Sequence, residues 1–122
     1  MPDPRPPSTL EAVDRKLHTK DVIRMYARLS TYQGDPIPAA ADLAEESQAP
    51  LKQVRELPGF RGVYLLADRP TGRSLTLTLW ADEASMRASE VRASQIRGES
   101  HAPDTAVVSV ERFEIGFVQL EA

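Results

Sequence analysis

A chain of 122 residues with 41% apolar and 27% charged side chains has the composition of one ordinary globular domain, long enough to bury a core. A net charge of −3, with fifteen basic residues spread along the chain, argues against nucleic-acid binding, and no apolar run approaches the roughly 20 residues of a membrane span. The lack of cysteine excludes disulfides, thiolate metal sites and cysteine nucleophiles.

Residues 1–20 read as a proline-rich, disordered tail, because MPDPRPP alone holds four prolines. A capping box at Ser8-Thr9-Leu10-Glu11, with Leu10, Val13 and Leu17 at helical spacing, allows a short helix over 9–18. No apolar secretory core stands near the N-terminus, so the expected location is the cytoplasm. Residues 22–30 alternate as a strand, with Ile23, Met25, Ala27 and Leu29 on one face and Arg24, Tyr26, Arg28 and Ser30 on the other. After the loop Thr31-Tyr32-Gln33-Gly34, Asp35 is placed to cap a helix with Pro36 at its first position. That helix is acidic early and basic late, carries Leu43, Ser47, Leu51 and Val54 inward, kinks near Gln48 because of Pro50, and ends at Leu57-Pro58-Gly59.

Residues 60–68 and 73–80 read as two strands of a hairpin around Arg69-Pro70-Thr71-Gly72. Asp82 caps a second helix running to about Arg97, with Met86, Val91, Ala93 and Ile96 inward and Gly98 closing it. Residues 105–117 form the last strand, and 119–122 a short tail. Strand, helix, strand, strand, helix, strand is the ferredoxin-like βαββαβ order: an α+β fold with an antiparallel sheet and two helices on one face. The other face is not purely polar, so it calls for a partner, and a second copy of the chain is the economical one.

The stretches ELPGFRGVYLLAD and TLTLWADEASMRASE resemble the antibiotic biosynthesis monooxygenase-like group of the dimeric α+β barrel superfamily, over residues 21–118. In that group a proline-glycine-phenylalanine opens the second strand, and a tryptophan closes the third before an acidic helix. The resemblance implies a homodimer with its sheets face to face and a small-molecule cleft between sheet and helices. It also implies activities ranging from cofactor-independent oxygenation of polycyclic phenols to haem degradation. Haem-degrading relatives use an asparagine on the first strand, a tryptophan after the third and a histidine on the second helix. Only Trp80 matches; the chain has no asparagine, and Glu90 stands near the histidine's place, so haem degradation is disfavoured.

Phenol oxygenation needs an apolar slot and a few polar donors, with no metal, flavin or other cofactor. Trp80, Tyr26, Arg28, Arg24 and Tyr64 are the ligand-pocket candidates: arginine can stabilise a phenolate, and an aromatic can stack on the ring. The same Arg24-Tyr26-Arg28 alternation also suits a dimer-facing strand paired with Glu111 or Glu114. Parity sets Trp80 with Thr76 and Thr78, opposite Leu75, Leu77 and Leu79. If the helices cover the leucines, Trp80 faces the second subunit, whereas the resemblance puts it near the cleft. GESHA (98–102) fails as a nucleophile elbow, since Ala102 replaces the last glycine and a helix precedes it. His101 beside Asp104 reads as an exposed loop pair, and His18 and His101 are too far apart for a metal set. The expected function is a small-molecule enzyme, a cofactor-independent monooxygenase acting on an aromatic or polyketide-like compound. The alternative is a non-catalytic ligand-binding or interaction protein on the same scaffold.

Overall fold

The alternating segments pair into one antiparallel sheet in the computed structural model, which describes residues 24–100 and 105–121. Its strands are β1 (Tyr26–Gln33), β2 (Phe60–Asp68), β3 (Arg73–Trp80) and β4 (Ala106–Glu114), in the spatial order β2-β3-β1-β4. The expected tail helix, His18, His101 and Asp104 lie outside the described residues. No helix among those described is long and apolar enough to cross a membrane.

The hairpin β2–β3 falls where the sequence placed it. Gly72, at φ 78°, makes its turn possible: a Cβ there would stand 2.3 Å from the Gly34 carbonyl oxygen. The first strand starts and ends later than expected, running through Thr31, Tyr32 and Gln33. These residues keep pairing with Leu75, Ser74 and Arg73, so the apparent loop is a continuation of the ladder.

Both helical connections are broken in two. The first comprises α1 (Leu43–Glu46) and α2 (Gln48–Val54). It is capped by Asp42, whose Oδ1 accepts from the Glu45 amide at 3.1 Å, and not by Asp35. Pro38 disfavours helical backbone at the residue before it, and a turn over Ala39 and Ala40, closed by the Ala41 amide donating to the Pro38 carbonyl at 3.0 Å, delays the helix to Leu43. Pro50 falls in the first turn of α2, where its missing N–H costs least. The second connection comprises α3 (Glu83–Ala88), capped by Asp82, and α4 (Glu90–Ser100). They part at Ser89, whose hydroxyl donates back to the Met86 carbonyl at 2.7 Å, and α4 continues through Gly98 instead of ending there.

Cross-strand register sorts the sheet into two chemically distinct faces. Tyr26, Arg28, Ser30 and Tyr32 share one with Trp80, Thr78, Thr76 and Ser74. Ala27, Leu29 and Thr31 share the other with Leu79, Leu77 and Leu75. The helices cover the first. Arg28 bonds into α3 at Met86, and α3 touches both β1 and β3. Of the two placements left open for Trp80, the structure has the one beneath the helices and not the one that turns it towards a second subunit: Trp80 has 0% exposure within one chain. The physical reason is that crossover handedness chooses which face the helices cover, not that face's hydrophobicity. The leucine face stays open, with Tyr64, Leu66 and Phe113 at 43, 50 and 47% exposure.

Candidate functional site

Helices broken at Ser47 and Ser89 do not fill the space above the covered face. A cavity of about 610 Å³ remains between sheet and helices, within the range of drug-sized ligand sites. Its floor is polar along β1 and β3, from Arg28, Ser30, Tyr32, Ser74, Thr76 and Thr78, and turns apolar at Val63 and Leu65 on β2. Leu43, Leu51 and Val54 wall one side, and Ala93, Ile96 and Arg97 the other. The non-helical segment with Pro36, Ile37 and Pro38 forms the rim. Arg69 pins that rim to the hairpin, donating from Nη1 to the Pro38 carbonyl at 2.6 Å and from Nη2 to the Ala41 carbonyl at 3.1 Å.

Arg28 is the cavity's buried cation, at 3% exposure. Its Nη1 donates to the Met86 carbonyl and the Ser89 hydroxyl, each at 3.2 Å, and so satisfies acceptors left by the helix break. Its guanidinium lies 5.2 Å from the Trp80 ring centroid, a cation–π distance. Trp80 is held edge-on to Phe60 at 5.6 Å, and its indole N–H donates to Thr78 Oγ1 at 3.0 Å. Burial pulls the Arg28 pKa below its ordinary value, while Glu90, 3.8 Å away, holds the charge in place. Glu90 is also gripped by Arg112, whose Nη2 donates to Oε1 at 2.9 Å. Hydrogen bonding from Arg112 is the main reason the Glu90 carboxyl lies below its ordinary value. Thus the residue near the expected place of a haem-binding histidine is tied into an Arg28–Glu90–Arg112 network. Among the described residues no cluster of His, Asp or Glu could hold a metal ion.

The sequence candidates separate. Arg28 lines the cavity, and Trp80 lies buried behind it as the surface on which the guanidinium rests. Tyr26 shares the covered face opposite Trp80, at the sheet end near α3. Its phenol is raised above the ordinary value, first by desolvation and then by the carboxylates of Glu83 and Glu114, so it stays protonated at neutral pH. Arg24 is exposed in the turn before β1, and Tyr64 pairs with Leu77 on the open face, away from the cavity. Tyr32 and Arg97 were not singled out from sequence, yet both line the cavity, with Arg97 Nε 3.2 Å from the Tyr32 hydroxyl oxygen. The available signals were parity continued from Arg28 and Ser30 to Tyr32, and the position of Arg97 one turn after the inward Ala93.

No family model matches the chain. Two uncharacterised proteins from strains of Mycobacterium tuberculosis are each 29% identical to it over 94 residues. The match takes in 77% of this chain but 40% of each of them, so the chain spans less than half the length of these curated relatives. Among solved structures, SnoaB, a cofactor-independent oxygenase from Streptomyces nogalater, aligns at a TM-score of 0.57 and 12% identity, over 80% of this chain and 99% of that one. The chain shares the α+β backbone fold of that oxygenase. A variant of SnoaB aligns at a TM-score of 0.52 and 14% identity, over 81% of this chain and 96% of that one. At these identities the likeness is one of backbone architecture, and chemistry has to be argued from the cavity.

Proposed function

We propose that the chain is a cofactor-independent monooxygenase that binds an aromatic or polyketide-like compound in the cavity between sheet and helices, and that it works as a homodimer joined through the leucine face. The observation that carries this reading is the cavity itself: about 610 Å³, apolar on its walls and β2 side, with the buried guanidinium of Arg28 in its floor. SnoaB, which shares the backbone architecture, is a cofactor-independent oxygenase, and that supports the reaction class. An electron-rich ring supplies the electrons itself: an activated ring CH2 reacts with O2 to give C=O and H2O. The ring first loses a proton to solvent, a proton that is recovered in the water formed, and Arg28 in the floor favours the resulting anion. Trp80 acts from behind, fixing the Arg28 guanidinium by stacking.

A second reading, a binding protein without chemistry, is favoured by one fact. Arg28 is already engaged with Met86, Ser89, Glu90 and Trp80, as a structural arginine would be. Oxygen uptake with a panel of polycyclic phenols and quinols, in chelator-treated flavin-free buffer, separates the two. Saturable uptake with release of the oxygenated ring supports the oxygenase. Saturable calorimetric binding without uptake would favour the binding protein, and no binding to a folded protein would remove both.

A further inference from the structure

The charges around the cavity balance in number but not in depth: Arg28 and Arg97 are more buried than the lining carboxylates Asp35 and Glu46. Arg28 and Arg112 share one carboxylate, Glu90, which leaves that network with a surplus positive charge. Arg97 adds a second. It is half-buried and cavity-lining, and no ion pair joins it to a carboxylate among the described residues. Arg97 and Tyr32 both lie within the electrostatic reach of Arg28. The acidic residues that line the cavity, Asp35 and Glu46, are exposed, where solvent screens them more than it screens the cations within.

We propose that the ligand carries an ionised carboxylate and that Arg97, with the Tyr32 hydroxyl, selects for it. This rests on the reading of the cavity as a ligand site. The hydrogen bond from Arg97 to Tyr32 uses Nε and leaves the Nη1–Nη2 edge to fork onto two carboxylate oxygens. The hydroxyl orients that edge by accepting from Nε. Apolar side chains stand beside this charged corner: Ala93 and Ile96 on the same helix, and Val63 and Leu65 across the floor. A rigid aromatic acid matches the combination, with its ring against the apolar residues and its carboxylate at Arg97. An anion there also relieves the repulsion between Arg97 and Arg28.

The test is calorimetric titration with 2-naphthoate and its methyl ester, which differ chiefly in the charge. The acid is expected to bind the wild-type chain about tenfold or more tightly than the ester, with a preference that weakens as salt rises. In Arg97→Gln the ratio of acid to ester affinity should collapse to within about twofold. In Tyr32→Phe it should shrink in part. Equal binding of acid and ester to the wild-type chain, or an undiminished preference in a folded Arg97→Gln, would overturn the inference and leave the cavity reading intact. Binding of neither compound to the folded wild-type chain would overturn both.

Discussion

The two faces of the sheet invert the pattern of a solitary domain. The face beneath the helices carries Arg28, Ser30, Thr76 and Thr78, with aromatic rings at one end, while the face left open carries Leu29, Leu75, Leu77 and Leu79. In a lone domain the apolar face would be the one covered. The polar face is tolerated inside because its donors are used: Arg28 on Met86 and Ser89, Trp80 on Thr78, and Thr78 Oγ1 on the Arg28 carbonyl at 3.4 Å. The covered face therefore builds a polar-floored cavity, and the open face has the composition of an assembly surface.

Trp80→Ala strikes the covered face hardest. A fully buried indole also supports Arg28, so we expect a loss of about 3–5 kcal/mol in denaturant unfolding. A loss below about 1 kcal/mol would mean that this face is not a packed core. Leu77→Arg tests the open face. If two copies meet there, a buried unpaired charge should cost the association about 2–4 kcal/mol and convert a sedimenting dimer to monomer. A wild-type chain that already sediments as a monomer at tens of micromolar would break the assembly half of the contrast.

Glu90→Gln probes the ionic network above the covered face, with an expected cost of about 1–3 kcal/mol at neutral pH because the buried Arg28 loses its countercharge. Glu90 is depressed below its ordinary value of 4.5, so its contribution is complete above that pH and is lost as pH falls through the lower folded-state value. Stability curves of the wild type and variant should converge in acid, below about pH 4.5, and curves that stay parallel there would show that Glu90 is not the group titrating. Val91→Ala is the smallest change: at 73% exposure, it should shift stability by no more than about 0.5 kcal/mol. A larger loss would place Val91 in a contact that only an assembly provides, sharpening the map of the second copy's footprint.

Sequence alone determined the hairpin strands, the element order and the Asp82 cap. Each depends on signals local to a few residues: alternation, turn chemistry around Gly72, and a short side chain accepting an amide hydrogen bond. Alternation also sorted Trp80 with the threonines and against the leucines. It could not say which set the helices cover, because both faces hold enough apolar atoms to be buried and the choice is made by crossover handedness and register across β1, β3 and β2. The helix breaks were half legible. Pro50 signalled the first, whereas the break at Ser89 became visible only with Arg28 on its acceptors, 61 residues away along the chain. The cavity pair Tyr32 and Arg97, separated by 65 residues, is likewise a product of tertiary structure. A strand continued by pairing with its neighbours brings one to the floor, and the helix packed over that face carries the other above it.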